Sequence, residues 1–346
     1  MGGGDFQPGF PHPNPTESYW QLPSHAISNH RTTAELPTST AFDYIIVGSG
    51  ISGAAVAHKL LSRDASLSIL IVEARTAASG ASGRNGGHYR PGWWFNFKRY
   101  HETFGEDEAV RFARLEEQNV RDIADFVGNH QVICDFQDVE TADVYFTHEA
   151  WAKALEVKSL RENVLKTRQS ATDRWVKHET HNGAAAQSYI GIPGIVGAVT
   201  YPAHTQNPYL LVCHMLQMSL DKGLNLQTNT TVTRVAKVHD KWNVQTDRGT
   251  VQASRVILAT NGYTNALHPG LAATEFLTPA RAQVAAVRPG STIDGSPAET
   301  ERGPRGHAHG GLLHVPSTWP QGRRRRAIPL SVRRRPLCIR PIYPSI

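Results

Sequence analysis

Residues 43–53 read DYIIVGSGISG, and this stretch decides the fold. The apolar run Phe42–Val47 predicts a strand that is covered on both faces. A glycine turn follows, and Ile51–Ser62 predicts a helix whose small residues face the strand. Leu67–Val72 returns as a second, parallel strand. Strand, helix and strand in this order form a βαβ unit.

The glycines at positions 48, 50 and 53 have the spacing of a dinucleotide-binding turn. Gly48 lets the backbone turn, Gly50 lets a pyrophosphate approach, and Gly53 lets helix and strand pack closely. The phosphates would meet free N–H groups at a helix N-terminus, where the dipole favours negative charge. Glu73, 20 residues after Gly53, would accept hydrogen bonds from the ribose hydroxyls. Because an acid at this position repels a 2′-phosphate, the pattern disfavours NADP.

The segment Ser79–His88 distinguishes between the two remaining dinucleotides, NAD and FAD. It reads SGASGRNGGH, a loop of small residues with one arginine and one asparagine. Arg84 can neutralise a pyrophosphate, and the glycines leave room for a bulky ring system. The loop therefore favours FAD.

Helical and extended patterns follow one another downstream. Apolar residues recur at three- and four-residue steps from Glu106 to Phe126, which predicts an amphipathic helix, and Glu149–Thr167 predicts another. A third helix should begin at Pro208 and end before Gly223, its C-cap. The predicted extended segments are Val132–Phe136, Ala142–Phe146, the strand and loop Ile190–Thr200, Leu224–Leu226, Thr230–Val238, Trp242–Thr246, Thr250–Gln252 and Val256–Thr260.

The two ends of the chain differ from its body. Residues 1–40 are polar and proline-rich, and we expect an extended arm that lies on the body with Trp20 and Leu22 as anchors. Residues 289–346 carry ten arginines against three acidic residues, so the net charge of +6 belongs to this tail. Its abrupt change in composition leads us to expect a disordered or aberrant segment from a truncated or shifted reading frame.

The two arginine clusters in the tail have three possible roles. Arg323–Arg326 and Arg333–Arg335 could bind nucleic acid, act as an import signal or form a solvated basic surface. Because the body has a net charge of −1 without the tail, we do not expect nucleic acid as a partner.

Bulk properties exclude several classes of protein. A length of 346 residues suits two domains. No apolar run approaches the roughly 20 residues that span a bilayer, so no membrane partner is expected. The N-terminus lacks a secretory signal, which favours a cytoplasmic location. The cysteines, Cys134, Cys213 and Cys338, are too far apart in sequence to predict a disulfide framework or a metal site.

Four motifs in this order resemble the D-amino-acid oxidase-like family of FAD-dependent oxidoreductases, in particular the branch of gamma-glutamylputrescine oxidase and its fungal relatives. The glycine turn is the first motif, and Ser82–Gly87, reading SGRNGG, is the second. Val232–Val235 is similar to the family's strand beside the adenine, and Ala259–Tyr263 to its segment near the flavin. The resemblance covers roughly residues 14–288.

The resemblance implies a cofactor, FAD, and a set of residues that bind it. These are Gly48, Gly50, Gly53, Glu73 and Arg75 for the ADP half, Ser82, Arg84, Asn85, Gly86 and Gly87 for the pyrophosphate and the isoalloxazine, and Val235, Asn261 and Gly262. It also implies oxidation of a C–N bond in a small amine or amino acid by hydride transfer to flavin N5. Dioxygen is the expected electron acceptor, although oxidase and dehydrogenase both stay open. The alternative is a truncated, non-catalytic remnant of such an enzyme.

His88 is the candidate catalytic residue because it directly follows Gly87. It could bind substrate, carry a covalently attached flavin, or be a loop histidine with ordinary hydrogen bonds. Tyr89, Trp93 and Trp94 could form the wall of an amine pocket or simply pack.

The expected fold is α/β. A Rossmann-like FAD-binding domain lies in the discontinuous segments 41–100 and 208–275, after the arm 1–40. An inserted, incomplete substrate domain with an antiparallel sheet occupies 101–207 and 276–288. The basic Pro/Arg-rich tail, 289–346, completes the chain.

Overall fold

The structure is a computed structural model that describes residues 9–168, 174–274 and 276–280 and the strand Leu337–Pro341. The chain divides into two compact units, Met1–Asn85 with Asn207–Arg281 and Gly86–Gln206 with Ala282–Ile346. The sequence led us to expect the boundaries between the two domains after residue 100 and before residue 208. In the structure the corresponding boundaries lie after Asn85 and before Asn207. The expectations for the arginine clusters of the tail lie outside the described residues.

Eleven strands and seven α-helices are assigned in the described part of the chain. The strands are β1 (Ala41–Val47), β2 (Ile69–Val72), β3 (His88–Tyr89), β4 (Gln137–Tyr145), β5 (Glu179–Asn182), β6 (Gly197–Thr205), β7 (Asn225–Gln227), β8 (Val232–Val238), β9 (Lys241–Thr246), β10 (Gly249–Leu258) and β11 (Leu337–Pro341). The helices are α1 (Ile51–Arg63), α2 (Phe97–Phe104), α3 (Glu106–Asn129), α4 (His148–Thr167), α5 (Gly183–Ile190), α6 (Pro208–Leu220) and α7 (Pro269–Ala272).

The first unit is built on a six-stranded sheet in the order β7-β2-β1-β10-β9-β8. β1 runs parallel to β2 on one side and to β10 on the other, which confirms the predicted βαβ unit. β9 and β8 continue the sheet as an antiparallel meander. The central strands are apolar because both faces are covered, and Ile45 and Ile46 are completely buried. The predicted strand Thr250–Gln252 and most of Val256–Thr260 lie in one continuous strand, β10, which ends two residues before the predicted end.

Two helices pack against each other beside this sheet, α1 and α6. α1 begins directly after Gly50 and buries Gly53, Ala54, Ala57 and Leu61. α6 begins as predicted at Pro208, and the Asn207 side chain accepts hydrogen bonds from the second and third helical amides.

The N-terminal arm, residues 9–40, is held on the first unit. Ile27 and Leu36 are its buried apolar residues, with 4% and 5% of their surface exposed. Leu22 is 60% exposed, so its predicted role as an anchor is wrong. The arm also uses polar contacts, since the amide of Thr32 donates to the carbonyl of Leu226 at 3.0 Å. Polar anchoring of this kind leaves no periodic apolar signal in the sequence.

The second unit is built on a sheet in the order β11-β4-β6-β3, with β5 pairing with β6. β4 and β6 pair antiparallel over their full length, and β11 runs parallel to β4. The composition of the tail does not predict β11. Val132–Phe136 is not a strand, and the prediction there is wrong. Gln131 and Asp135 have positive φ values of 50° and 52°, which interrupt extended backbone around this segment.

Helices cover the sheet of the second unit. Trp94, Tyr145 and Trp151 belong to a core cluster between the sheet, the 3-10 helix Gly92–Asn96 and α4. The helices predicted from Glu106 and Glu149 are confirmed as α3 and α4, while α5 was not predicted. The extended segment predicted at Ile190–Thr200 begins only at Gly197, because Ile190 ends α5 and Gly191 adopts a left-handed conformation after it.

Candidate functional site

The glycine turn between β1 and α1 leaves no room for side chains. Gly48 has a φ of +104°, and a β-carbon on it would lie 2.6 Å from the carbonyl oxygen of Ala259. A β-carbon on Gly53 would lie 2.0 Å from the carbonyl oxygen of Gly48. On Gly50 it would lie 3.1 Å from the hydroxyl oxygen of Ser82. Gly48 therefore permits the turn, Gly53 lets α1 approach β1, and Gly50 lies close to Ser82.

Glu73 lies at the end of β2 and faces the glycine turn. Its Oε2 accepts hydrogen bonds from the amide and the hydroxyl of Ser49, at 2.9 and 2.7 Å. Its Oε1 accepts from the amide of Arg75 at 3.0 Å. Since an ionised carboxylate offers about four acceptor positions, it keeps capacity for a further donor such as a ribose hydroxyl. The Ser49 hydroxyl in turn accepts from the amide of Ala78, so it links both loops.

Two arginines bring positive charge to this region. Burial lowers the pKa of Arg84, and the positive charge of Arg75 lowers it further, so the two guanidinium groups act on each other. The Nε of Arg75 is buried and has no hydrogen-bond partner among the described residues. A dianionic pyrophosphate would relieve both the repulsion and the unsatisfied donor, which makes this pair fit such a ligand. Tyr263 also acts on Arg84, so the segment after β10 lies within electrostatic range.

The loop 79–85 closes over the start of α1. The Ser82 hydroxyl accepts a hydrogen bond from the amide of Ile51, the first residue of the helix, at 2.8 Å. Arg84 donates from Nε to the carbonyl of Ser79, and the Asn85 side chain donates to the carbonyl of Ser82. The loop is thus folded on itself, and Ser82 is the predicted residue that contacts the N-terminus of α1.

The N-terminal arm holds the outer side of this loop. The Ser18 hydroxyl donates to the carbonyl of Gly83 at 2.6 Å, and Trp20 donates from Nε1 to the carbonyl of Asn85 at 2.7 Å. The Gln21 side chain donates to the carbonyl of Gly83 as well. The sequence predicted Trp20 as an anchor of the arm, but it did not predict this loop as the partner. The polar arm had no pattern that pointed to a partner some 65 residues away.

Gly86, Gly87 and His88 belong to the second unit, where the chain enters it. Gly87 has a φ of +69°, and its carbonyl accepts from the amide of Gln206 at 2.9 Å. His88 lies opposite Thr205 in the pairing of β3 with β6 and is half-buried. The structure thus places His88 on a short strand at the end of its sheet.

The remaining cofactor residues predicted from the sequence lie in the first unit. Val235 is on β8, opposite Val244, and packs against the core cluster of the unit. Asn261 and Gly262 begin the 3-10 helix that follows β10, and Asn261 has a φ of 47°. Gly48 lies against Ala259, just before Asn261 and Gly262. The end of β10 therefore places this segment next to the glycine turn.

The aromatic residues in and after β3 differ in their exposure to solvent. Trp94 is 3% exposed and donates from Nε1 to Asp143 at 2.9 Å. Tyr89 donates its hydroxyl to the carbonyl of Asn119, and burial, together with the nearby Asp122, raises its pKa to about 12. Trp93 is 59% exposed and borders a cavity.

Buried charge in the second unit is a feature that the sequence did not reveal. Asp143 on β4 accepts hydrogen bonds from Arg90, Trp94 and Tyr201. Glu117 on α3 pairs with Arg161 on α4, with 1% and 5% of their side chains exposed. Aspartate and glutamate are usually exposed, so nothing in the sequence indicated that Asp143 and Glu117 are buried. The partners of both acids are distant in sequence.

The chemistry of the site points to a nucleotide. Among residues 9–168, 174–274 and 276–280, no group of three His, Cys, Asp or Glu side chains could hold a metal ion. No helix within those residues is long and apolar enough to cross a bilayer. The glycine turn, Glu73 and the arginine pair together fit a dinucleotide with a free ribose and a pyrophosphate.

Comparison with known proteins agrees with this interpretation. The family described as FAD dependent oxidoreductase matches residues 43–323. The probable oxidoreductase OrdL of Rhizobium meliloti (strain 1021) is 25% identical over 242 residues, which are 68% of this chain and 52% of that protein. The chain spans about half the length of the curated relatives that it matches.

Solved structures share the fold. L-amino acid deaminase from Proteus vulgaris aligns with a TM-score of 0.54 at 18% identity, over 68% of this chain and 50% of that one. L-proline dehydrogenase from P. horikoshii aligns with a TM-score of 0.50 at 15% identity, over 72% of this chain and 59% of that one. Both support the α/β assignment, with a parallel and an antiparallel sheet.

Proposed function

The chain belongs to the FAD-dependent oxidoreductase family, and on this premise we propose that it oxidises a C–N bond of a small amine or amino acid. The observation that carries the proposal is the convergence of the glycine turn, Glu73 and the Arg75–Arg84 pair in one unit. The names of the deaminase and the proline dehydrogenase motivate the substrate class.

The first unit would hold the ADP half of the cofactor. Gly48, Gly50 and Gly53 admit the pyrophosphate to the N-terminus of α1, whose amides and dipole favour negative charge. Glu73 accepts from the ribose hydroxyls, and Arg75 and Arg84 neutralise the phosphates. Val235 on β8 would contact the adenine.

The isoalloxazine would lie beyond the loop 79–85. The residues assigned to it and to the pyrophosphate are Ser82, Arg84, Asn85, Gly86, Gly87, Asn261 and Gly262. When bound, FAD supplies a hydride acceptor at N5, and dioxygen is the acceptor that we propose for its electrons. His88 is the proposed contact to the substrate, which it would orient from the start of β3.

A second candidate function is cofactor binding without turnover. It needs only the glycine turn, Glu73 and the arginine pair, all of which lie in the first unit. The two candidates share the residues of the first unit and differ only in the reaction.

Spectroscopy of the purified chain tests both. The proposal expects a visible flavin spectrum that is bleached when an amine or amino acid is added without oxygen, and peroxide when air is admitted. A flavin spectrum that no member of a panel of L- and D-amino acids and alkylamines bleaches would favour cofactor binding alone. Protein that stays colourless after dialysis against FAD would contradict both.

A further inference from the structure

A cavity of about 260 Å³ lies within the second unit, between the 3-10 helix Gly92–Asn96 and helices α2, α3 and α4. Five aromatic residues line it, Trp93, Trp94, Phe97, Tyr100 and Phe112, and Arg161, which pairs with Glu117, lines it as well. The rings of Tyr100 and Phe112 are 4.8 Å apart between centroids. None of the residues assigned to FAD lines this cavity.

One carboxylate reaches into this aromatic wall, that of Glu116 on α3. Its Oε1 accepts a hydrogen bond from the backbone amide of Trp93 at 2.8 Å. No hydrogen bond or ion pair engages its Oε2 among the described residues. Burial, as the largest cause, raises the pKa of Glu116 to about 7, although the charges of Arg161 and Arg90 act in the opposite direction.

The charged groups around Glu116 already have partners. Glu117, the like charge beside it, pairs with Arg161 and accepts a hydrogen bond from the amide of Val176. Arg121 also approaches Glu117, at 3.7 Å. The Arg90 guanidinium pairs with Asp143 at 3.2 Å.

Other titratable groups also act on this network: Glu162 acts on Arg161, Lys158 pairs with Glu162 at 2.7 Å, and His178 packs beside them. Burial holds the pKa of His178 well below its usual value, and Arg161 lowers it further, so the ring stays neutral near neutral pH. Arg161 and Arg90 therefore act on Glu116 from within other ion pairs, and Glu116 is left as the acid that faces the cavity.

We propose that this cavity binds a small organic ammonium ion, with Glu116 as the counter-ion and the aromatic rings around its body. Aromatic faces attract cations, and the attraction grows when the cation is removed from water. A carboxylate that is half-buried and unpaired gains most from such a ligand, because the ligand removes the cost of its charge. The volume lies just below the about 300–1,000 Å³ of pockets for drug-sized ligands, so the ligand should be small.

Exposure of the walls supports the same conclusion. Trp93 is 59% exposed and Phe112 is 42% exposed, although both are large and apolar. A ligand with an aromatic or alkyl body would cover them and remove apolar surface from water. The cavity therefore offers both an apolar and an ionic contribution to one molecule.

Calorimetric titration of the purified full chain with benzyltrimethylammonium tests the proposal, since this cation does not titrate. With a pKa of about 7 for Glu116, binding should be about tenfold tighter at pH 8 than at pH 6. Glu116→Gln should remove the pH dependence and weaken binding at pH 8 by about tenfold, while its side-chain oxygen can still accept from Trp93. The matched control is Asp125→Asn, which removes one negative charge from an exposed position on the same helix and should bind as the wild type does.

Three results would overturn the proposal. They are no binding of the cation, wild-type binding by Glu116→Gln, or equally tight binding of the neutral N-benzylacetamide. Circular dichroism of each variant shows whether it is folded. The proposal is independent of C–N oxidation, because the titration measures binding of the cation and requires no reaction. A chain that binds the cation and oxidises no amine would support it and count against the proposed reaction.

Discussion

The carbonyl oxygen of Gly48 lies 2.0 Å from the place that a β-carbon on Gly53 would occupy. That distance is shorter than any real contact of a β-carbon, and the atom it would meet belongs to the backbone. Gly53→Ala must therefore push α1 away from β1. We expect a loss of about 3 kcal/mol in unfolding free energy and loss of FAD, measured by urea unfolding and by the flavin content of the purified protein.

Gly128→Ala is the matched control for that substitution. Gly128 lies in α3, and a β-carbon there would meet nothing within 4 Å. Because alanine favours a helix over glycine, this variant should be about 0.5–1 kcal/mol more stable than the wild type. If Gly53→Ala proved as stable as Gly128→Ala, the close approach of helix and strand would be wrong.

Glu73→Ala should weaken FAD binding, because it removes the acceptor of the ribose hydroxyls and the group that orients Ser49. The loss of one hydrogen bond to a charged group predicts a dissociation constant raised by about tenfold or more. Quenching of flavin fluorescence on titration of apoprotein measures it. Glu35→Ala changes an exposed acid in the same unit and should leave the affinity unchanged. Unchanged affinity in Glu73→Ala would refute the ribose assignment.

Trp20→Phe tests the contribution of the arm to the FAD loop. The substitution keeps an aromatic ring and removes the N–H that donates to the carbonyl of Asn85 at 2.7 Å. We expect the loop to loosen and FAD to dissociate several-fold faster, as followed by the release of flavin fluorescence on dilution. Tyr19→Phe, at a neighbouring residue that is 56% exposed, is the control. Equal dissociation rates for both variants would show that the arm does not support the loop.

The pH dependence of stability should report Glu116. Its pKa rises from 4.5 to about 7 in the folded chain, so between these values the folded state binds more protons than the unfolded state. Unfolding free energy attributable to this group must therefore fall as pH rises through that window.

Glu116→Gln removes the effect. It should be equal to the wild type near pH 4 and more stable by about 3 kcal/mol at pH 8, as measured by chemical unfolding. Asp125→Asn should follow the wild-type curve. A constant difference between Glu116→Gln and the wild type at both pH values would contradict the shifted pKa.

The sequence predicted the part of the fold that local signals encode. Gly48, Gly50 and Gly53, the apolar run of β1 and the acid Glu73 all carry their meaning within a short segment, and the structure places them together. The long helices α3 and α4 were also predictable, because their apolar residues repeat with the helical period.

What the sequence did not predict depends on distant partners. Glu116 and Glu117 have the appearance of ordinary polar residues of a helix, and their partners Trp93 and Arg161 show why the first is half-buried and the second is buried. The contact of Ser18 with Gly83 likewise needs the folded loop. Tertiary contacts of this kind have no period and no motif, so a single sequence does not display them.

Pairing of β1 with β10 has a consequence for the order of events during synthesis. Ala41 lies opposite Gln252, so β1 can pair with β10, one of its two neighbours, only after about two hundred more residues have been made. By then the whole segment Gly86–Gln206 has left the ribosome, and β4 and β6 can already pair. Chains grow at about 5–20 residues per second, and domains generally fold as units. Until β10 is made, β1 can pair with β2 on one side while its other edge is unpaired, and unpaired strand edges expose a nascent chain to aggregation.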